Sequence, residues 1–153
     1  MKNLIILSLL LFGLTFIASG QKDAPEAVKK AFTQKYAAAN SVKWDSESAN
    51  EWEAEFTING KEMSASYDNA GKWLETETEI AAKDLPAAVS STLTKQFAGY
   101  KPGEISIIES PTMKGYEIAL KKGETACEVV IDANGKVLKN TPGPEKGERA
   151  EKK

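Results

Sequence analysis

Residues 51–72, EWEAEFTINGKEMSASYDNAGK, decide the fold of this chain. The first eight residues alternate between polar residues and the apolar set Trp52, Ala54, Phe56 and Ile58. A period of two is typical of a strand with one buried face and one polar face. Asn59-Gly60 favours a two-residue hairpin turn, and Asp68-Asn69-Ala70-Gly71 predicts a second tight turn. The stretch is therefore predicted to form two antiparallel strands of one sheet.

The same pattern returns later in the chain. Trp52-Glu53-Ala54-Glu55-Phe56 matches Tyr116-Glu117-Ile118-Ala119-Leu120 at an offset of 64 residues. The turn at residues 68–72 matches residues 132–136 at the same offset. A sequence that repeats at a fixed period predicts a repeated structural unit.

A helix is predicted before the strands of each unit. Asp23-Ala24-Pro25 and Asp84-Leu85-Pro86 precede two apolar stripes at helical spacing, which are Val28, Phe32 and Tyr36, and Val89, Leu93 and Phe97. Each Asp is expected to cap a helix, and each Pro suits a first helical turn. The sequence thus predicts an α+β fold built from a tandem repeat, about residues 23–80 and 84–139. Each repeat is a helix followed by three to four antiparallel strands.

The two ends of the chain have distinct compositions. Lys2, the apolar run at residues 4–17 and Ala18-Ser19-Gly20 predict a signal peptide over residues 1–20. The alternative is a permanent membrane anchor. The apolar run at residues 4–17 is shorter than the stretch of about 20 apolar residues that a membrane span needs. A charged stretch containing proline and glycine predicts a disordered tail over residues 140–153. The protein is therefore expected to be periplasmic or secreted, without stable membrane insertion after signal cleavage.

Composition excludes several classes of function. The chain contains no histidine, which removes His-based triads, Cys-His dyads and His-ligated zinc. A formal net charge of −2 argues against a nucleic-acid partner. Cys127 is the one cysteine, so no internal disulfide can form, and its apolar surroundings favour a buried small hydrophobe. No catalytic residue, metal site or cofactor is predicted.

Five segments carry a resemblance to a known family. They are Pro-Glu-Ala-Val at 25–28, Val-Lys-Trp at 42–44, Trp-Glu-Ala-Glu-Phe at 52–56, Asn-Gly-Lys-Glu-Met at 59–63 and Asn-Ala-Gly-Lys-Trp-Leu at 69–74. With these segments the chain resembles the PepSY-like family. More narrowly, it is similar to the β-lactamase-inhibitor-like, PepSY-like secreted proteins of Bacteroidetes type. The resemblance covers roughly residues 24–139, which gives one PepSY-like domain over residues 21–139.

The resemblance implies a fold and a mode of action. It implies helices packed on one face of an antiparallel sheet, with the opposite face exposed, as in the β-lactamase inhibitory protein. That protein grips an enzyme with its sheet and has a disulfide in each repeat, whereas this sequence has only Cys127. A non-catalytic protein that binds an unknown protein partner, such as an extracytoplasmic enzyme, is therefore expected.

The candidate partner-binding residues lie on the polar side of the predicted strands. They are Trp73, Glu75, Glu77, Glu53 and Glu55. Trp73 shares the alternation of Glu75 and Glu77, which would place an aromatic anchor among carboxylates. The alternative is that these glutamates form an ordinary solvated strand face.

Two other functions remain open from the residues. A small-ligand or divalent-cation binder could use the acidic face, although the two Asp-x-x-Gly segments have the spacing of hairpin turns rather than of calcium loops. A hydrolase could use paired carboxylates, but alternating strands show no sign of a closed cleft that would separate their pKa values.

Overall fold

The computed structural model describes residues 23–143. The predicted signal peptide and the chain from residue 144 onward lie outside the described residues. The first half contains α1 (Glu26–Lys35), β1 (Asn40–Ser48), β2 (Glu51–Ile58), β3 (Lys61–Asp68) and β4 (Trp73–Glu79). After a short 3-10 turn at Ala82–Asp84, the second half contains α2 (Ala87–Gln96), β5 (Lys101–Glu109), β6 (Lys114–Lys122), β7 (Thr125–Ile131) and β8 (Val137–Pro142).

The eight strands form a single antiparallel sheet in the order β1 to β8. Every strand therefore pairs with its neighbours in the sequence, and short turns join most of the strands. Four strands follow each helix, which is the larger of the two numbers predicted. The two halves meet where β4 pairs with β5, from Thr76 opposite Glu109 to Glu79 opposite Ser106.

The helices begin later than the sequence predicts. Pro25 and Pro86 occupy the N-cap positions, and within residues 23–143 no side chain caps either helix. The prediction that Asp23 and Asp84 cap the helices is wrong, because each lies two residues too early to reach the first free amide groups. Asp23 instead forms an ion pair with Lys29 at 3.2 Å.

The first core lies between α1 and the strands of the first half. Val28 and Phe32 of α1 are buried against strand residues Trp52, Ala54, Phe56, Ala65 and Tyr67. The Phe32 and Phe56 rings pack edge to face with centroids 5.0 Å apart. Fully burying one such side chain contributes about 1.5–3 kcal/mol, so this contact holds α1 on the sheet. Trp52 is buried in this core, and Trp44 packs against it.

The second core lies between α2 and the strands of the second half. Its buried residues are Val89, Phe97, Ile105, Ile118, Leu120, Val129 and Ile131. Leu93 and Cys127 pack against this cluster from its margin. Cys127 is partly buried rather than fully buried as expected, and this burial raises the pKa of its thiol.

The two Asp-x-x-Gly segments are hairpin turns that dock the helices. The Asp68 carboxylate accepts the backbone amides of Ala70 and Lys72 at 2.9 Å each. Asp132 accepts the equivalent amides of Asn134 and Lys136. The interpretation of both segments as hairpin turns is therefore confirmed.

Glycine is required in both turns by the approach of a helix. A Cβ atom added at Gly71 would lie 2.5 Å from the carbonyl oxygen of Ala27 in α1. At Gly135 the corresponding distance, to the carbonyl oxygen of Ala88 in α2, is 2.8 Å. Each turn therefore supports the helix of its own half.

The carboxyl end of the sheet extends beyond the predicted boundary. β8 continues through Pro142, and Gly143 donates its amide to the Ala126 carbonyl at 2.8 Å. The predicted start of the tail at residue 140 is therefore too early.

Candidate functional site

The strand register defines a second face of the sheet. Residues paired across antiparallel strands point to the same side. Glu53 of β2 pairs with Ser66 of β3, which pairs with Glu75 of β4. One residue along each strand, Ala54, Ala65 and Thr76 are paired and point to the side of the first core. Glu53 and Glu75 consequently lie on the side away from that core.

The same register continues through the second half. Ser106 of β5 pairs with Glu117 of β6, which pairs with Val130 of β7, and Val130 pairs with Lys139 of β8. Glu128 of β7 lies two residues from Val130 and shares its side. We name this surface the carboxylate face, and its residues are Glu53, Glu55, Ser64, Ser66, Glu75, Glu77, Ser106, Ile108, Glu117, Glu128, Val130 and Lys139.

The centre of the carboxylate face is buried, not solvated. Glu75 is 9% exposed and Glu117 only 4%, while Ile108 and Val130 are 2% and 1% exposed. Glu55, nearer the β1 edge, is exposed. The interpretation of this side as an ordinary wet strand face is therefore wrong for its middle, because side chains on adjacent strands cover one another there.

A hydrogen bond joins two strands of this face. Ser106 donates its hydroxyl to Glu77 Oε2 at 2.9 Å. Glu117 is buried on the same face, where the charges of Glu77 and Glu128 act on its carboxyl group.

Burial and mutual repulsion raise the pKa values of these groups. The pKa of Glu117 rises to about 9, mainly through burial and then through the charges of Glu77 and Glu128. Burial, followed by the charge of Glu77, raises the pKa of Glu75 to about 7. Burial also raises the pKa of Glu53 to about 7. Lys139 opposes this effect at Glu75, Glu117 and Glu128, but the net shift remains upward.

Trp73 does not lie beside Glu75 and Glu77. A register shift in the β3 and β4 pairing places Glu75 opposite Ser66 but Trp73 opposite Tyr67, the next residue of β3. This bulge turns the indole to the other side, where it packs against the first core. The expected alternation is therefore wrong at Trp73.

The contacts of Trp73 are consistent with this position. Its Nε1 donates to Thr76 Oγ1 at 2.8 Å, and the Lys35 ammonium lies 3.9 Å from the ring centroid. Thr76 Oγ1 is also hydrogen-bonded to the hydroxyl of Tyr36, at the end of α1.

The structure thus brings together four of the five candidate residues, which are Glu53, Glu55, Glu75 and Glu77. Sequence reasoning missed Glu117 and Glu128, which complete the buried centre. The repeat contained the signal for Glu117, because it is the counterpart of Glu53 at an offset of 64 residues. Glu128 corresponds to Ser64, so the repeat marked its position without predicting a carboxylate there.

The arrangement offers carboxyl, hydroxyl and ammonium groups on one face of the sheet. Within residues 23–143, no three His, Cys, Asp or Glu side chains are grouped in a way that could hold a metal ion. In that same part of the chain, neither helix has the length and apolar character needed to cross a membrane.

Several solved structures share the fold. A BLIP-like protein of Bacteroides fragilis is 20% identical with a TM-score of 0.70, and the match covers 83% of this chain and 93% of that chain. A protein of Bacteroides eggerthii, described as "putative periplasmic", is 20% identical with a TM-score of 0.69 over 79% and 90% of the two chains. A DUF2874 family protein of Bacteroides ovatus is 21% identical with a TM-score of 0.69 over 79% and 89%.

The comparison with curated proteins gave no match. The comparison with protein families matches residues 50–139 to the family described as beta-lactamase-inhibitor-like, PepSY-like. This segment runs from β2 to β8 and includes every residue of the carboxylate face. The chain belongs to the beta-lactamase-inhibitor-like, PepSY-like family.

Proposed function

We propose that this protein is an exported, non-catalytic binding module that inhibits or regulates an envelope or secreted enzyme through its carboxylate face. The observation that carries the proposal is the buried grouping of carboxyl and hydroxyl groups around Ile108 and Val130, on the side of the sheet away from the first core. The exposed part of the same face, which includes Glu55, is the part that a partner would contact. The family name and the BLIP-like structures support binding as the mode of action.

The proposal includes a tandem repeat whose two helices cover one face of the sheet. Three equivalences support it. The helix bounds Glu26–Lys35 and Ala87–Gln96 differ by the offset of 61 residues seen in the sequence. The Asp68 and Asp132 turns have the same hydrogen bonds. Gly71 and Gly135 contact equivalent helix carbonyls, those of Ala27 and Ala88. A sheet covered on one side by both helices leaves the carboxylate face to a partner.

The charge of the face indicates the chemistry of that partner. Six glutamates on the face are accompanied by Lys139, so the surface becomes acidic wherever its carboxyl groups are ionised. A partner with lysine or arginine side chains on a complementary surface would be steered towards it. Exposed Glu55 is the position where such a partner can be disturbed without altering the buried centre.

Affinity capture from a native envelope extract tests the proposal. The baits are the exported form of the protein, a Glu55→Lys variant and a Glu26→Lys control. Glu26 is exposed on α1, away from the carboxylate face, so both variants change the charge equally. We expect one stoichiometric protein on the wild-type and control baits and at least tenfold less on Glu55→Lys, with circular dichroism showing all three baits folded at the temperature of capture.

Two results would contradict the proposal. One is the absence of any stoichiometric protein at low salt, and the other is equal capture by the three baits. Melting that depends on calcium would instead favour the divalent-cation alternative.

A further inference from the structure

We infer that β8 of one molecule and β1 of a second copy are complementary strand edges, and that Pro142 and Pro144 prevent them from pairing. The inference goes beyond the proposed function, because it concerns the two edges of the sheet and not the carboxylate face. It therefore holds or fails whether or not that face binds a partner.

Two strands of the sheet have an open edge. Within residues 23–143, β1 pairs only with β2, and β8 pairs only with β7. An open edge presents backbone amide and carbonyl groups that can pair with a strand of another molecule. A molecule with a complementary edge at each end can associate head to tail into an open chain.

β8 is the counterpart of β4 in the second half. In β4, Thr78 pairs with Met63 of β3. In β8, Pro142 pairs with Cys127 of β7, and both of these residues lie 64 positions further along the chain. On its other side, Thr78 pairs with Ile107 of β5. The side of β4 that pairs with β5 therefore corresponds to the open edge of β8.

β1 is the counterpart of β5. Trp44 of β1 pairs with Ala54 of β2. Ile105 of β5 pairs with Ile118 of β6, and these two residues lie 61 and 64 positions further along the chain. The side of β5 that pairs with β4 therefore corresponds to the open edge of β1. Placing β8 of one copy against β1 of another would repeat a junction that exists within the molecule.

The two prolines remove the amide groups that this junction needs. Ile80 donates its amide to the Ile105 carbonyl of β5 at 3.0 Å. The backbone groups of a strand point alternately to its two neighbours, so those of Thr78 also face β5. At an offset of 64, the counterparts of Thr78 and Ile80 are Pro142 and Pro144. Neither proline has an amide hydrogen to donate to a further strand.

The hydrogen bonds of β8 place Pro142 on its open edge. Gly143 donates its amide to the Ala126 carbonyl of β7, so the backbone groups of the preceding residue point away from β7. Proline on an outer edge is one of the means by which proteins prevent sheets from pairing edge to edge. The neighbouring Asn140 and Thr141 carry no charge and add no charge repulsion. The prolines are therefore the feature that keeps β8 from a second copy.

Sedimentation velocity tests the inference on the exported form of the protein. The test variant combines Pro142→Thr with Pro144→Ile, which gives β8 the residues that β4 has at these positions. We expect the wild-type mass to stay that of a monomer as the concentration rises. The mass of the test variant should rise with concentration to at least twice that value, with circular dichroism showing both proteins folded.

A third variant shows whether the assembly uses β1. Ser46 is exposed on β1 and is the counterpart of Ile107 at an offset of 61. Ser46→Pro added to the test variant removes an amide from the β1 edge and should return the protein to a monomer. Mixed with wild-type protein, this third variant should form a one-to-one complex and nothing larger, because only its β8 and the wild-type β1 can pair.

Three results would overturn the inference. The first is a test variant that is folded and stays monomeric. The second is assembly that Ser46→Pro leaves unchanged, since another surface would then be responsible. The third is a wild-type protein that itself associates and becomes monomeric on Ser46→Pro alone, because the prolines would then not prevent pairing. Pro142→Thr alone gives the same comparison if the double substitution does not fold.

Discussion

Whether a buried polar side chain of this protein finds a hydrogen-bond partner depends on its neighbours in the fold as well as on its residue type. Tyr67 illustrates this in the first core. It is 1% exposed, and within the described residues its hydroxyl has no hydrogen-bond partner. Tyr36, on the same side of the sheet, has its hydroxyl bonded to Thr76. Two tyrosines of one core therefore differ in whether the hydroxyl stabilises the fold.

Tyr67→Phe should stabilise the protein. The substitution removes a buried polar group that gains nothing in the folded state, and leaving such a group unsatisfied costs about 1–3 kcal/mol. We expect the free energy of unfolding to rise by about 1 kcal/mol, measured by urea denaturation.

Tyr36→Phe is the matched substitution, because it removes a hydroxyl that does have a partner. It should lower the free energy of unfolding by about 1 kcal/mol. An equal loss of stability in both variants would show that the Tyr67 hydroxyl is also satisfied.

At the scale of elements, the helices are held by the turns as well as by the cores. Gly71 has φ +82° and lies directly against the Ala27 carbonyl of α1. Gly60, in the turn between β2 and β3, has φ +76° with open space around it. Substitutions at Gly71 and Gly60 therefore distinguish two free-energy costs. One is the cost of a left-handed backbone at a residue with a side chain, and the other is the cost of a clash with the helix.

Gly71→Ala should be much more destabilising than Gly60→Ala. The second change introduces only left-handed strain, about 1–2 kcal/mol. The first adds a collision with backbone and should cost about 3 kcal/mol or more. Urea denaturation followed by circular dichroism measures both. Similar losses in the two variants would mean that α1 moves freely away from its turn.

The elements also show what local pattern can and cannot predict. The alternation in β2, the Asn59-Gly60 turn and the helical stripe of Val28 and Phe32 depend on neighbouring residues, and all were predictable. The bulge that turns Trp73 away from Glu75 depends on pairing with β3, which leaves no mark in the alternation of β4. Burial of Glu117 likewise depends on strands that are distant in the sequence. The fold was therefore more predictable than the candidate site.

At the scale of the whole molecule, a continuous sheet joins two separate cores. The tryptophans Trp44, Trp52 and Trp73 all contact the first core, whereas Val89 is completely buried in the second. Tryptophan fluorescence therefore reports on one half of the molecule, and a substitution in the other half tests whether the two unfold together.

Val89→Ala should shift the unfolding transition seen by tryptophan fluorescence. The substitution removes two buried methyl groups and should cost about 2 kcal/mol. If the sheet makes the molecule cooperative, fluorescence and circular dichroism should give coincident urea transitions, both displaced from the wild type. A fluorescence transition that stays in place while circular dichroism becomes biphasic would show that the halves unfold independently.

Lys139 lies on β8, which is the last strand of the sheet to be synthesised. This lysine is on β8 and opposes the raised pKa values of Glu75, Glu117 and Glu128, which belong to earlier strands. A nascent chain emerges amino end first, so its acidic strands are made before the lysine that moderates them. A chain that has not yet reached β8 lacks the ammonium group that acts on these glutamates. The last strand therefore completes the charge balance of the sheet as well as its edge.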